Sequence, residues 1–162
     1  MASVSFQVRH AFSASPREVW DALVDWKSHE EWVPSTRMEV EPGDPTAEGA
    51  TFTAFTGVGR LALEDRMRVI RCDWSEDTTS GECEVEKLGP YLTGRAGFTI
   101  GPKVGGGTVV DWTEDLNAPR VPQFAAPAAA WIGATGFRRA MRKLDALLGE
   151  GGSTEGPASE AG

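Results

Sequence analysis

Residues 15–25 read SPREVWDALVD and contain a complete set of helix-start signals. Ser15 is a good capping residue, Pro16 suits the first helical position, and Glu18 stands where its carboxylate can cap back. The apolar residues that follow recur at helical spacing, which predicts a short amphipathic helix that runs to about Asp25. These apolar residues are Val19, Trp20, Leu23 and Val24.

A strand precedes this helix, and a second short helix follows it. Residues 4–12 alternate apolar with polar or small side chains, which is the pattern of a half-buried strand. Ser28-His29-Glu30-Glu31 repeats the serine-to-glutamate spacing of a capping box and predicts another helix, which Pro34 would end.

Residues 36–116 show short strand patterns separated by turns rich in glycine and proline. The predicted strands are 38–40, 51–56, 61–71, 83–87, 94–100 and 108–116. Because strands joined in sequence by short turns pair antiparallel, we expect a meander and not a βαβ arrangement.

A long helix of about 40 Å is predicted over residues 122–148, with Gly149 at its end. Pro127 either starts the main helix or kinks it. One apolar stripe runs along this segment, comprising Phe124, Ala128, Trp131, Ala134, Phe137, Met141, Leu144 and Leu148. We therefore expect one domain over residues 1–149, followed by a disordered, acidic, Gly/Ser-rich tail over residues 150–162.

Composition excludes several classes of partner. The chain has 162 residues and a net charge of −8, with no run of Lys and Arg, which argues against nucleic acid and against an anionic membrane surface. No apolar run approaches the roughly 18 residues that a membrane span needs, and the N-terminus lacks signal-peptide features, so we expect a cytoplasmic protein without membrane insertion. Cys72 and Cys83 are expected to be reduced, and the two histidines have no ligand spacing, so no metal or cofactor is expected.

The order of these elements resembles the START-like (SRPBCC) superfamily and, within it, the polyketide cyclase/dehydrase-like group. The resemblance covers about residues 3–148 and is carried by Ser15-Pro16, Val19-Trp20, Leu23, Asp25, Trp32 and Pro34. It implies an α+β helix-grip fold, in which a curved antiparallel sheet of about seven strands wraps around the long C-terminal helix. Such a fold encloses a cavity for a hydrophobic small molecule, but members of the superfamily bind different ligands in one scaffold.

Three polar residues, His10, Asp65 and Glu114, fall on otherwise apolar strand faces. They are either polar anchors for a ligand, an acid/base set with His10 as the candidate catalytic residue, or ordinary strand residues that face solvent. Trp131 is predicted to face inward from the long helix, and Trp32 to lie at the rim of the cavity. The predicted ligand-binding set is His10, Trp32, Leu63, Asp65, Met67, Phe98, Trp112, Glu114 and Trp131.

The preferred functional hypothesis is a carrier or binding protein for a hydrophobic molecule such as a polyketide, lipid, quinone or sterol-like compound. One alternative is an enzyme of the aromatase/cyclase type that acts on polyketide intermediates. The scarcity of phenol donors weakens that alternative slightly, since Tyr91 is the single tyrosine. A second alternative is an interaction domain like the activators of the Hsp90 ATPase, which share this fold.

Overall fold

In the computed structural model, which describes residues 2–151, the chain forms a seven-stranded antiparallel sheet with strand order β1-β7-β6-β5-β4-β3-β2. The strands are β1 (Ala2–Phe12), β2 (Thr36–Val40), β3 (Thr51–Thr56), β4 (Leu63–Ser75), β5 (Ser80–Leu88), β6 (Thr93–Pro102) and β7 (Thr108–Ala118). The helices are α1 (Pro16–Val24), α2 (His29–Trp32) and α3 (Ala126–Gly151). This is the α+β helix-grip architecture that the sequence predicts, a curved sheet with one long C-terminal helix.

The start of α1 has the predicted capping box. The Ser15 hydroxyl accepts the Glu18 backbone N–H, and the Ser15 backbone N–H donates to the Glu18 carboxylate at 2.9 Å. The apolar face of α1 is buried, including Val19, Trp20 and Leu23. A side chain at Gly81 on β5 would collide with the Trp20 ring, because a Cβ there would lie 2.5 Å from it. The missing side chain at Gly81 therefore lets Trp20 pack directly on the sheet.

The predicted capping box at Ser28 is wrong. The Ser28 hydroxyl donates to the Asp25 carbonyl at 2.8 Å and makes no side-chain cap. Instead, the Asp25 carboxylate accepts the Ser28 backbone N–H at 3.3 Å and caps a single 3₁₀ turn of Trp26–Ser28. Helix α2 follows that turn directly and ends at Trp32, two residues before Pro34 as predicted.

Strand β4 carries a β-bulge that the sequence pattern did not indicate. Its register against β5 shifts between Val69 and Arg71. Val69 is buried on the inner face, and beyond the bulge Cys72 pairs with Cys83. Both cysteines are free thiols.

Helix α3 differs from its prediction in boundary and in orientation. It extends to Gly151, so Gly149 does not end it, and Glu150 and Gly151 belong to the helix and not to a tail. Residues 152–162 of the predicted tail lie outside the described residues. Pro127 lies in the first turn, where its missing N–H is tolerated, so it starts the helix and does not kink it. Within residues 2–151, no helix is both long enough and apolar enough to cross a bilayer.

The buried face of α3 is rotated away from the predicted stripe in its first half. Ala126 is buried, whereas Trp131 is 68% exposed and Phe124, in the 3₁₀ turn before α3, is also exposed, so the predicted inward orientation of both aromatic residues is wrong. The reason is the close approach of α3 to β1: a Cβ on Gly133 would lie 2.6 Å from the Phe6 ring. At that separation only small side chains fit between helix and strand, and the bulky rings turn to the outside.

Candidate functional site

A buried ionic triad lies on the concave face of the sheet. The Lys87 ammonium contacts the Asp65 carboxylate, and it lies 3.7 Å from Glu114 Oε2. The side chains of Lys87, Asp65 and Glu114 are only 4%, 14% and 5% exposed. Asp65 and Glu114, for which the sequence left both an inward and a solvent-facing position open, are thus largely buried, whereas Lys87 was not predicted.

Strand alternation brings the triad to the inner face. On β5, Cys83, Val85 and Lys87 are all buried, with half-buried or exposed residues between them. The same alternation on β7 turns Glu114 inward between Trp112 and Leu116. Lys87 interrupts an apolar inner face, which is the sequence signal that would have revealed it.

The triad spans non-adjacent strands because strand β6 carries small residues at this level. Lys87 is paired with Gly94, and Glu114 is paired with Ala96. A Cβ at Gly94 would lie 2.1 Å from the Asp115 carbonyl oxygen, and its φ of +117° also favours glycine. The ammonium of Lys87 therefore passes over β6 towards Glu114 without meeting a large side chain.

Burial and mutual attraction oppose each other within the triad. Burial raises the pKa of Glu114, and the attraction of Lys87 and the hydrogen bond from Trp112 offset only part of that effect. Burial alone would lower the pKa of Lys87, but the charges of Glu114 and Asp65 outweigh it and raise that pKa. Lys87 is therefore a stable cation, and Glu114 is a carboxyl group that holds its proton more readily than usual.

Three buried side-chain polar atoms have no hydrogen-bond partner among residues 2–151: Asp65 Oδ1, Trp32 Nε1 and Trp74 Nε1. The other polar atoms around Glu114 are better satisfied, since Trp112 Nε1 donates to Glu114 Oε1 at 3.1 Å. Leaving a buried acceptor unpaired costs about 1–3 kcal/mol, so each orphan atom marks a place where an added group would be stabilised.

The triad lies between two separate hydrophobic clusters. The larger cluster contains Trp112, and the smaller one contains Val4 and Leu116. Glu114 stands between Trp112 and Leu116 on β7, and its register partner Phe6 packs against both clusters. Glu114 therefore interrupts the run of buried apolar side chains that extends along β7 from Val110 to Ala118.

A row of aromatic rings forms the edge of the larger cluster that lies next to the triad. Trp112 stacks on Phe98 with ring centroids 5.6 Å apart, and on Phe137 of α3 at 4.7 Å. Phe137 in turn contacts Phe6 at 5.8 Å. Through Trp112, which donates to Glu114, the triad therefore borders a stack of aromatic rings.

His10 lies elsewhere and is not part of the triad. Its Nε2 lies 3.2 Å from the Asp145 carboxylate of α3, which also accepts the Ser13 backbone N–H. His10 is four residues along β1 from Phe6, the partner of Glu114, which places it about 13 Å away at the usual strand rise. The structure shows His10 tying β1 to the C-terminal half of α3.

The other predicted site residues divide into interior and surface positions. Met67 is buried with its sulfur 3.8 Å from the Lys87 ammonium, and Phe98 and Trp112 are buried. Trp32 is 1% exposed and packs against His29, so its predicted place at the rim is wrong. Leu63 lies two residues from Asp65 on the same face, but it is exposed at the start of β4. Leu61, which was predicted within a strand, lies in an exposed 3₁₀ turn.

Two open grooves lie elsewhere on the surface. One, of about 420 Å³, lies on the outer face of the sheet and is lined by residues such as Gln7, Arg95 and Thr113. The other, of about 600 Å³, lies beside β2 and β3 and includes Arg37 and Tyr91. Neither groove is lined by a member of the triad. Among residues 2–151, no group of three His, Cys, Asp or Glu side chains is placed to hold a metal ion.

Comparisons with known proteins agree with this architecture. The crystal structure of protein CV1439 from Chromobacterium violaceum is similar to this chain, with a TM-score of 0.63 and 16% sequence identity. The similarity covers 89% of this chain and 96% of that one, and at this identity it establishes the fold alone. No curated protein matches the chain significantly.

A family model described as polyketide cyclase/dehydrase and lipid transport matches residues 3–149. The match includes the capped helix α1, every strand from β2 to β7, and all three members of the triad. It covers far more than half of the chain, so the chain belongs to the polyketide cyclase/dehydrase and lipid transport family.

Proposed function

We propose that this protein is a carrier that binds a hydrophobic small molecule between the concave face of the sheet and helix α3. The polar end of the ligand contacts the triad of Lys87, Asp65 and Glu114. The observation that carries the proposal is the triad itself, an ionic group with an unpaired oxygen, Asp65 Oδ1, between two apolar clusters.

Such a group is a poor way to stabilise a core. Removing charges from water costs several kcal/mol per ion, and well-packed apolar residues often stabilise a core equally well or better. The smaller cluster shows that this end of the sheet can bury apolar side chains, since Leu116 does so two residues from Glu114. A role in binding explains why three ionisable residues occupy this position instead.

The surroundings of the triad suit a ligand of mixed character. Met67, Phe98 and Trp112 supply apolar contacts, and the first half of α3 presents small residues towards β1. Leu63 lies two residues from Asp65 on β4, and Trp131 lies two residues from Gly133, which approaches the Phe6 ring. We place them at the mouth of the site, where exposed apolar side chains would meet an arriving ligand.

Native mass spectrometry of freshly purified protein tests the proposal, combined with extraction of any bound compound and titration with Nile red, a neutral hydrophobic dye. We expect a defined extra mass or saturable dye binding, and we expect the Lys87→Met variant to change the dye affinity. Arg95→Met is the matched control, because Arg95 pairs with Glu84 on the outer face. A clean protein mass together with no saturable dye binding would overturn the proposal.

The raised pKa of Glu114 beside the Lys87 ammonium favours a second candidate, an aromatase/cyclase-type enzyme. In that case the Asp65 carboxylate would take the α-proton and Lys87 would stabilise the oxygen of the resulting enolate. Protonated Glu114 would give its proton to the β-hydroxyl, which leaves as water as the C–O bond breaks and the C=C bond forms. The test is turnover of a poly-β-ketone substrate: Glu114→Gln should abolish it. Turnover that survives this substitution would remove Glu114 from the mechanism.

A further inference from the structure

We infer that the polar end of the ligand is an uncharged hydroxyl group, an alcohol or a phenol, that donates to Asp65 Oδ1 while it accepts from Lys87. This inference rests on the proposed binding function and narrows its ligand class. It follows from which atoms of the triad are already engaged and from the charge that the triad carries.

The Asp65 carboxylate can only accept hydrogen bonds. Its Oδ2 is engaged by the Lys87 ammonium, and its Oδ1 is buried with no partner among residues 2–151. A ligand that satisfies this oxygen must therefore carry a donor. An ether, an ester or a ketone has none and would leave Asp65 Oδ1 unpaired.

Lys87 supplies the complementary half of the contact. Its ammonium has three N–H donors, of which one goes to Asp65 and another faces the sulfur of Met67 at 3.8 Å, a weak acceptor. The Glu114 oxygen at 3.7 Å is beyond hydrogen-bond distance. A hydroxyl oxygen both donates and accepts, so one such atom can serve Asp65 and Lys87 together.

The charges of the triad argue against a ligand whose polar end is a carboxylate or an ammonium group. The triad holds one ammonium and two carboxyl groups, so a ligand carboxylate would add a further negative charge in a buried site. A ligand ammonium that reached the Asp65 carboxylate would lie close to the Lys87 ammonium, which contacts the same carboxylate. The two positive charges would repel each other strongly in this buried site. A neutral hydroxyl avoids both penalties.

The test compares three probes that share one ring system: naphthol, methoxynaphthalene and naphthoate. They are titrated into the full-length protein at neutral pH by isothermal calorimetry. We expect naphthol to bind about tenfold or more tightly than methoxynaphthalene, since a hydrogen bond to a charged group is worth that much, and naphthoate to bind more weakly than both. Equal binding of naphthol and methoxynaphthalene overturns the inference but leaves the binding function intact. Failure of all three to bind counts against the binding function itself.

The same substitution at two positions of β4 tests the assignment to Asp65. In Asp65→Asn the ratio of the naphthol affinity to the methoxynaphthalene affinity should fall below about threefold. Asp73→Asn is the control, because Asp73 is exposed and pairs with Arg71. A preference that persists in a folded Asp65→Asn protein overturns the assignment. If that variant does not fold, the probe series on the wild-type protein still decides the ligand class.

Discussion

The ammonium of Lys87 on β5 lies 3.7 Å from the carboxylate of Glu114 on β7, although strand β6 runs between the two. Contacts between side chains normally join adjacent strands. Here the strand between contributes Gly94 and Ala96 at the level of the contact, so the long lysine side chain crosses it. The site depends on three strands at once, and its stability is open to direct measurement.

Replacing Lys87 with Met should destabilise the protein by about 3–5 kcal/mol, because two carboxyl groups then remain buried without their cation. The measurement is urea denaturation followed by circular dichroism. Arg95→Met, which breaks an exposed pair with Glu84, should cost less than about 1 kcal/mol. A Lys87→Met protein as stable as the wild type would show that the triad is not ionic.

Removing all three charges together should restore most of the lost stability. The variant Asp65→Leu/Lys87→Met/Glu114→Leu leaves no charge, and apolar side chains of similar volume in place of a buried ionic group often leave a core as stable as the ionic original. Urea denaturation again provides the comparison. If the triple variant is no more stable than Lys87→Met, lost packing and not an unpaired charge explains the cost.

The tryptophans on α2 and α3 should differ sharply on truncation. Trp32→Ala removes a fully buried ring and should cost about 3–5 kcal/mol, whereas Trp131→Ala should change stability by no more than about 0.5 kcal/mol. Thermal and urea unfolding of both variants make the comparison. A large loss at Trp131 would mean that its ring packs against the body of the protein after all.

His29 should make the protein less stable in acid. Its Nε2–H donates to the Leu23 carbonyl at 2.9 Å, and burial lowers its pKa from 6.5 to about 4. Between these two values the unfolded chain binds a proton that the folded chain does not, so stability falls as the pH falls through this window. The full effect is about 3 kcal/mol and does not grow further below pH 4.

The His29→Gln variant isolates this effect, since its amide can donate to the same carbonyl but does not titrate. Unfolding free energies measured from neutral pH to pH 4 should fall by about 3 kcal/mol more in the wild type than in the variant. Equal acid sensitivity in the two proteins would show that His29 is protonated freely in the folded state.

His10 should contribute to stability and not to ligand binding. His10→Phe keeps an aromatic ring but has no donor, so it loses the contact with Asp145 between β1 and α3, which is worth about 0.5–1.5 kcal/mol. Its distance from the triad predicts a Nile red affinity within about twofold of the wild type. A large loss of affinity without a loss of stability would return His10 to the binding site.

Local signals in the sequence were sufficient for the order of elements and for part of the site. The Ser15 capping box and strand alternation depend on neighbouring residues, so Asp65 and Glu114 could be placed on the inner face in advance. Lys87 was predictable by the same alternation. The orientation of Trp131 was not, because it depends on how closely Gly133 approaches Phe6, two residues far apart in the chain. The contact of Lys87 with Asp65 likewise depends on the pairing of β4 with β5.

The β-bulge between Val69 and Arg71 changes which positions of strand β4 face the interior. Before it the odd-numbered positions, Met67 and Val69, point to the interior, and after it the even-numbered ones, Cys72 and Trp74, take their place. One extra residue thus acts as a phase shift that keeps both halves of a long strand amphipathic. Deleting Ile70 would restore an uninterrupted ladder and leave Cys72 and Trp74 facing the interior, whereas a regular strand that kept Ile70 would bring Arg71 and Asp73 inside and turn Cys72 and Trp74 out to water.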